Sequence, residues 1–166
     1  EEEKNIWLAF SPIKKNPQDL MIQKTTELGV QKFIPILCER SVVREVNIER
    51  INKITTEASE QCNRISVPEI SKIKNLDSFL KKFPQNGKLV FCDINSKLRT
   101  LKEDFLNTDP ICILIGPEGD FSEKEKQLII DKKNTISISL GRNILRAETA
   151  AISAISILTY NLNLKY

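Results

Sequence analysis

The segment Ile111-Cys112-Ile113-Leu114-Ile115-Gly116-Pro117-Glu118-Gly119-Asp120-Phe121-Ser122 decides the fold class. Its first five residues form a continuous apolar run, which is typical of a parallel strand covered on both faces. A tight turn with two glycines follows, and Ser122 with Glu125 forms the S-x-x-E capping box that begins a helix. This order predicts an α/β domain, whose ligands bind beyond the carboxyl ends of the strands.

A second glycine-bearing segment repeats this order, with a strand over 136–140, a turn at Gly141 and a helix over 144–162. Two such turns placed side by side would form one pocket walled by bare backbone. The phosphate-loop motif G-x-x-x-x-G-K-[ST] is absent, and Glu118 and Asp120 would repel phosphate. An acidic, glycine-lined pocket favours a cationic or ribose-bearing ligand.

The rest of the chain supplies further strands and helices. Asn16 is expected to cap the first helix, which Gly29 ends, and Asn47 is expected to cap the second. Pro35 favours an edge position or a bulge for its strand. We predict a single α/β domain over 1–166 with about six strands, a mostly parallel sheet and helices on both faces. The remaining predicted strands cover 6–10, 33–37, 67–70 and 89–92, and the remaining helices 17–28, 48–62, 76–83, 98–106 and 122–130.

Composition narrows the class of protein. A chain of 166 residues with 40% hydrophobic and 28% charged residues fits one globular domain. Neither a signal peptide nor an apolar run of roughly 18 residues is present, so we expect no membrane partner. The four cysteines form no C-x-x-C pair and there is no histidine, so we expect no metal site and a reducing cytoplasm.

The lack of histidine also restricts the chemistry. Ser-His-Asp and Cys-His catalysis are excluded, and acid–base work falls to carboxylates, lysines, tyrosines or the substrate. An enzyme of this composition should favour positioning over proton shuttling. Methyl transfer from a charged sulfonium fits this requirement, because the donor is already activated.

Several charged residues are candidates for function. Arg142 and Arg146, four positions apart, would project from one helical face near the second turn. Glu148 is expected to pair with one of them, although such a surface pair contributes only roughly 0–1 kcal/mol. Other basic residues are ordinary surface or RNA phosphate contacts; the candidates are Lys24, Arg40, Arg44, Lys53 and Arg64.

Two motifs together resemble the SPOUT class of methyltransferases. They are L-I-G-P-E-G-x-F-S at 114–122 and S-L-G-x-x-I-L-R-A-E-T-A-A at 139–151. More narrowly, they resemble the RsmE family, which methylates N3 of a uridine in 16S ribosomal RNA. Upstream stretches at 22–30, 39–41 and 57–70 agree with this family, so the resemblance covers about residues 6 to 160.

The resemblance implies a C-terminal trefoil knot that binds S-adenosyl-L-methionine, and a homodimer with its site near the subunit interface. It places Arg146 against the reacting uracil or its phosphate, with Glu148 as a second catalytic candidate. It implies RNA contacts at Lys24, Arg40, Arg64 and Arg142, with 16S rRNA or the small ribosomal subunit as partner. The implied cofactor-binding residues are Ile115, Gly116, Glu118 and Gly119 in one loop and Leu140, Gly141, Ile144 and Leu145 in the other.

The sequence departs from the family pattern in three places. The N-terminal PUA-like RNA-binding domain of the family is expected to be absent from this chain. Asp120 stands where the family more often has glycine, and Cys92-Asp93-Ile94-Asn95 replaces a more usual His-Pro region. A non-catalytic RNA-binding or regulatory α/β module is therefore the alternative to a methyltransferase.

Overall fold

The structure is a computed structural model that describes residues 4–97 and 107–163. Within these residues the chain forms seven strands and five helices. In chain order they are β1 (Ile6–Phe10), α1 (Lys15–Glu27), β2 (Lys32–Leu37), α2 (Ile48–Gln61), β3 (Glu69–Ile70), β4 (Lys74–Asn75), α3 (Leu76–Lys82), β5 (Lys88–Cys92), β6 (Ile111–Ile115), α4 (Glu123–Asp131), β7 (Thr135–Ile138) and α5 (Ala147–Asn163).

The strands form one sheet in the order β3-β2-β1-β6-β5-β7, with β4 also paired to β2. Every pairing in the described part of the chain is parallel. From β1 the chain continues to β2 on one side, while β6 lies on the other side, so the direction of winding changes here. Ligand sites of open α/β sheets lie at such a switch point, outside the carboxyl ends of the strands.

The apolar runs of the central strands supply both faces of the sheet. Side chains alternate along a strand, so Ile111, Ile113 and Ile115 join one buried cluster, while Cys112 and Leu114 join the other. The first cluster includes buried residues of α1, α2 and α5, and the second those of α3 and α4. The predicted α/β class, with helices on both faces of a parallel sheet, is confirmed.

Several helix ends lie where local sequence signals predict them. Ser122 accepts from the Glu125 N–H at 3.2 Å, and the Glu125 carboxylate accepts from the Ser122 N–H at 3.0 Å, which confirms the predicted capping box. Asn47 accepts from the Arg50 N–H at 3.0 Å, as a side-chain cap does. Gly29 follows α1 with a φ of 102°, the left-handed conformation that favours glycine after a helix.

The predicted start of α1 is wrong. The helix begins at Lys15, and its preceding residue Lys14 makes no side-chain capping bond. Asn16 and Pro17 therefore lie within the first turn, where proline is tolerated because the first N–H groups of a helix have no partner inside it.

Other boundaries also differ. The last helix begins at Ala147 rather than at 144, and the strand predicted over 67–70 is only two residues long. β2 is an inner strand, although its outer neighbour changes from β3 to β4 around Pro35, where no donor is needed on that side. The helix predicted over 98–106 lies outside the described residues. No helix in the described part of the chain is long and apolar enough to cross a membrane.

Candidate functional site

A cleft of about 840 Å³ lies at the carboxyl ends of the strands. It is lined by residues that follow β1, β5, β6 and β7 and by the first turn of α5. We call it the strand-end cleft. Its volume is in the range of small-molecule sites. The two glycine-bearing turns line this one cleft, so their predicted convergence is confirmed.

The β6 loop, residues 116–122, is tightly held. Asp120 donates its N–H to the Pro117 carbonyl at 2.9 Å and accepts the Phe121 N–H on its own Oδ1 at 2.8 Å. A Cβ on Gly116 would lie 2.6 Å from the Phe121 ring, which is fully buried against Phe91. Glycine at position 116 therefore lets this ring pack beneath the loop.

The end of β2 also holds the β6 loop. Arg40 donates to the Gly119 carbonyl oxygen at 3.0 Å, from its exposed guanidinium. The buried Glu125 accepts the Glu39 N–H at 2.8 Å as well as the Ser122 N–H. The capping box of α4 therefore ties two strand ends together. Arg40 contacts the cleft loop itself, a role for which the sequence offered no signal.

The β7 loop, residues 139–146, makes fewer contacts among the described residues. Ser139 Oγ lies 3.0 Å from the Gly141 carbonyl oxygen and 3.5 Å from that of Ile94. No described atom lies within 4 Å of a Cβ placed on Gly141, and Ile144 is 88% exposed although it lines the cleft. This loop presents bare backbone and apolar side chain to open space.

A third wall of the cleft follows β5. Asp93 donates its N–H to the Ile138 carbonyl at 2.9 Å and accepts the Asn95 N–H on Oδ1 at 3.0 Å. Burial raises the pKa of the Cys92 thiol to about 12, so this cleft residue is a neutral thiol near pH 7. The cleft residues that sequence analysis did not include as site residues are Lys14, Pro17, Cys92, Asp93, Ile94, Pro117, Asp120, Asn143, Ala147 and Ala150. The position of Asp93 directly after an apolar strand was the available signal.

The charge of the cleft is negative. Its lining includes the carboxylates of Asp93, Glu118, Asp120 and Glu148, against the cations of only two residues, Lys14 and Arg146. Such a lining attracts a cationic ligand and repels phosphate.

The two catalytic candidates lie at one edge of the cleft. Arg146 is exposed, and its carbonyl accepts the Ala150 N–H at 2.9 Å as the first bond of α5. Glu148 lies in the first turn of that helix, where a carboxylate is favoured by the helix dipole. Since α5 begins at Ala147, Arg142 and Arg146 do not share a helical face, and that expectation is wrong. Among the described residues Glu148 makes no ion pair with either arginine.

The predicted RNA-contacting residues fall into different settings. Lys24 forms an ion pair with Glu27 at 3.0 Å on α1. Arg64 donates to the carbonyls of Thr26 and Val30 at 2.7 and 2.8 Å, which satisfies backbone acceptors after α1. Arg142 is exposed in the β7 loop and does not line the cleft. Lys24 and Arg64 thus both lie at the C-terminal end of α1, whereas Arg142 lies in the β7 loop.

A parallel α/β sheet with an acidic cleft at its switch point defines a protein that binds a small ligand beyond its strand ends. The family model described as an RNA methyltransferase domain matches residues 1–159. The chain belongs to this family.

Individual relatives agree with this assignment. The ribosomal RNA small subunit methyltransferase E of Rickettsia conorii is 41% identical over 153 residues, covering 90% of this chain and 62% of the relative. The crystal structure of a protein of that name from Neisseria gonorrhoeae, bound to S-adenosyl methionine, matches with a TM-score of 0.86 at 32% identity, covering 95% of this chain and 66% of that one.

A more distant structure shows the same fold. The SpoU methyltransferase AviRb of Streptomyces viridochromogenes has a TM-score of 0.65 at 18% identity, covering all of this chain and 63% of that one. The chain spans about three fifths of the length of the Rickettsia relative.

Proposed function

We propose that this chain is the catalytic domain of an S-adenosyl-L-methionine-dependent methyltransferase that modifies N3 of a uridine in 16S rRNA. The observation that carries the proposal is the strand-end cleft, where two glycine-bearing loops of the family converge around a net negative lining. A sulfonium nucleoside has the positive charge and the size that such a cleft favours. Family membership supplies the RNA substrate class.

Gly141 provides a test of whether the cleft fits this cofactor. Its φ lies outside the left-handed region, and no described atom would collide with a Cβ there. Neither backbone conformation nor packing within the chain therefore explains why residue 141 is a glycine. Close approach of a ligand to the backbone explains it. The residues proposed to hold the cofactor are Ile115, Gly116, Glu118, Gly119, Leu140, Gly141, Ile144 and Leu145, all of which line the cleft.

The cofactor supplies a methyl group that is already activated by the sulfonium charge. N3 of uracil must lose its proton as it forms the bond to the methyl carbon, and the sulfur keeps the electrons of the bond that breaks. Arg146 at the cleft edge would stabilise negative charge on the uracil ring. Glu148, the second residue of α5, is the candidate acceptor of the N3 proton. Placement of N3 in line with the methyl group supplies the rest of the rate.

Basic residues around the cleft would bind the RNA backbone. Lys14 lines the cleft and is exposed, and Arg142 is exposed in the β7 loop. The guanidinium of Arg40, which binds the β6 loop, extends this charge. Lys24, in the last turn of α1, is a further proposed RNA contact. Arg64 stays a proposed contact, with a guanidinium that also binds two carbonyls of the chain itself. The proposed partner is 16S rRNA or the small ribosomal subunit.

We further propose that the C-terminal part of the chain forms a trefoil knot. β7 lies at the edge of the sheet beyond β5, while α5 packs against β6 and α1, so the chain must return across the strand ends. An experimental structure of this region tests the knot, because it should show α5 threaded through a closed loop of the chain.

A homodimer is also proposed. The exposed Ile157 and Tyr160 supply apolar surface on α5, the helix whose first turn lines the cleft. Light scattering of the parent chain and of Tyr160→Lys measures the mass, and a monomeric parent overturns this assignment.

A reducing cytoplasm is the proposed compartment. All four cysteines are free thiols, and burial raises the pKa of Cys38 and Cys92 to about 12.

Two measurements test the proposed activity. Calorimetry with S-adenosyl-L-methionine should give binding near the micromolar range, whereas no binding at millimolar cofactor favours the regulatory module. Transfer of labelled methyl from the cofactor to unmodified small ribosomal subunits, followed by mapping of the base, tests the reaction. Label on another atom than uridine N3 would overturn the assigned position.

A further inference from the structure

Lys126 of α4 makes a short ion pair with a residue of the cleft wall. Its Nζ lies 2.7 Å from Asp120 Oδ2, and the Lys126 side chain is only 17% exposed. A weaker contact joins it to Glu123 at 3.8 Å. The surface pair of Lys81 and Asp77 has an equally exposed carboxylate, 56% against 55% for Asp120, but its lysine is 73% exposed.

Asp120 has an unusual backbone for a residue with a side chain. Its φ of 63° lies in the left-handed region, which aspartate adopts more readily than most residues but less readily than glycine. Both carboxylate oxygens are used, since Oδ1 accepts the Phe121 N–H and Oδ2 binds Lys126. The contacts of this carboxylate therefore hold the backbone in a conformation that glycine would reach without them.

Lys126 also lies within the field of a second cleft wall. The hydrogen bond with Asp120 raises the pKa of Lys126, and the charges of Asp120, Glu123 and Asp93 raise it further. The ammonium group thus pairs with a carboxylate of the β6 loop, and its charge also interacts with that of Asp93 in the loop after β5.

We propose that Lys126 is a positioning residue that acts through Asp120 to fix the β6 loop in the conformation that binds the cofactor. The inference rests on the proposed function of the cleft. It assigns a role to an aspartate that stands in a turn where glycine would serve on conformational grounds alone. Without the pair, Asp120 would leave its strained conformation for part of the time. Cofactor affinity would then fall in proportion to the fraction of molecules whose β6 loop keeps the binding conformation.

The test compares cofactor affinity across matched pairs. Lys126→Met and Asp120→Asn should each weaken binding of S-adenosyl-L-methionine about five- to tenfold. The double variant should be no weaker than the worse single variant, because both remove one interaction. Lys126→Arg keeps the charge and should retain most of the affinity. Lys81→Met and Asp77→Asn break the exposed pair on α3 and should leave the affinity at the parent value.

Amide hydrogen exchange of Phe121 supplies a readout that needs no cofactor. Its N–H bonds to Asp120 Oδ1, so Lys126→Met should speed its exchange while Lys81→Met does not. If the parent binds cofactor but Lys126→Met binds equally well, the positioning role is overturned. If the parent binds no cofactor, the proposed function fails instead. In that case the hydrogen exchange of Phe121 still tests the Lys126 pair. Unchanged exchange in Lys126→Met would overturn the role of the pair, and faster exchange would support its effect on the loop.

Discussion

The two loops that meet in the strand-end cleft are built in opposite ways. The β6 loop is fixed by Arg40, by Lys126 and by the buried ring of Phe121. The β7 loop has the bond of Ser139 to Gly141 as its main internal contact among the described residues, and Ile144 is largely exposed. One wall of the cleft is therefore formed before any ligand arrives, whereas the other has surface that a ligand would cover.

The difference indicates that the two loops have different roles in ligand binding. A preformed wall lowers the ordering cost of binding. An exposed wall that carries Arg146 could adapt to the proposed cofactor and to the proposed RNA base in turn. Residues of the β6 loop should thus control stability and cofactor affinity together, and residues of the β7 loop should control affinity or rate without affecting stability.

The largest effect is expected from Arg146→Ala. Loss of the cation proposed to lie beside the uracil should lower the methyl-transfer rate about 100-fold, while cofactor affinity stays close to that of the parent. Single-turnover transfer and calorimetry measure the two quantities. Arg146→Lys should recover part of the rate, and Lys133→Ala removes an exposed cation outside the cleft as a control. Equal rates in parent and Arg146→Ala would remove Arg146 from the mechanism.

Gly116→Ala should break the β6 loop. The new Cβ would lie 2.6 Å from the Phe121 ring, which cannot move away because it is buried against Phe91. We expect the free energy of unfolding to fall by about 1–3 kcal/mol, as in other overpacked sites, and cofactor affinity to fall with it. Urea unfolding measures the first quantity. Unchanged stability would show that the ring has room to move.

Gly141→Ala should sharpen the contrast. No described atom opposes the new methyl group, so stability should stay within about 0.5 kcal/mol of the parent. Cofactor affinity should nevertheless fall about tenfold, because the methyl group would occupy space proposed for the ligand. Calorimetry and urea unfolding of the same preparation measure both. Full affinity in a stable variant would mean that the cofactor does not approach Gly141.

The smallest effect concerns the strand behind the third wall. Burial raises the pKa of Cys92 from 9.0 to about 12, so its contribution to stability is complete below pH 9 and lost as pH rises toward 12. The loss amounts to about 1.4 kcal/mol for each pH unit within that window. Cys92→Ala should therefore show a weaker fall in unfolding free energy between pH 8 and pH 10. An identical fall in both proteins would contradict the raised pKa of the Cys92 thiol.

The sequence predicted the sheet well, because its strongest strands are continuous apolar runs and its best helix start is a complete capping box. It predicted helix ends less well. Asn16 looked like a cap, yet Lys15 already lies in the helix, since proline is permitted throughout the first turn. The segment before Ala147 looked helical from its spacing, yet it forms the β7 loop.

The basic residues show where residue type alone was insufficient. Arg64 and Arg40 were predicted to bind RNA, and both donate to backbone carbonyls of distant segments. Their RNA roles stay predictions. No neighbouring residue in the sequence indicates these acceptor carbonyls. They lie 34 or more positions from Arg64 and 79 positions from Arg40.

The sequence by itself determined the strands, the turns after them, the class of family and the acidic character of the candidate cleft, since these follow from short patterns along the chain. Only the tertiary structure decided that β5 lies between β6 and β7, that Asp93 joins the cleft, and that Lys126 and Arg40 hold one loop while the other is left open. The reason is physical. Local patterns record which groups prefer burial, helix or turn, whereas the pairing of distant segments depends on how the whole sheet packs.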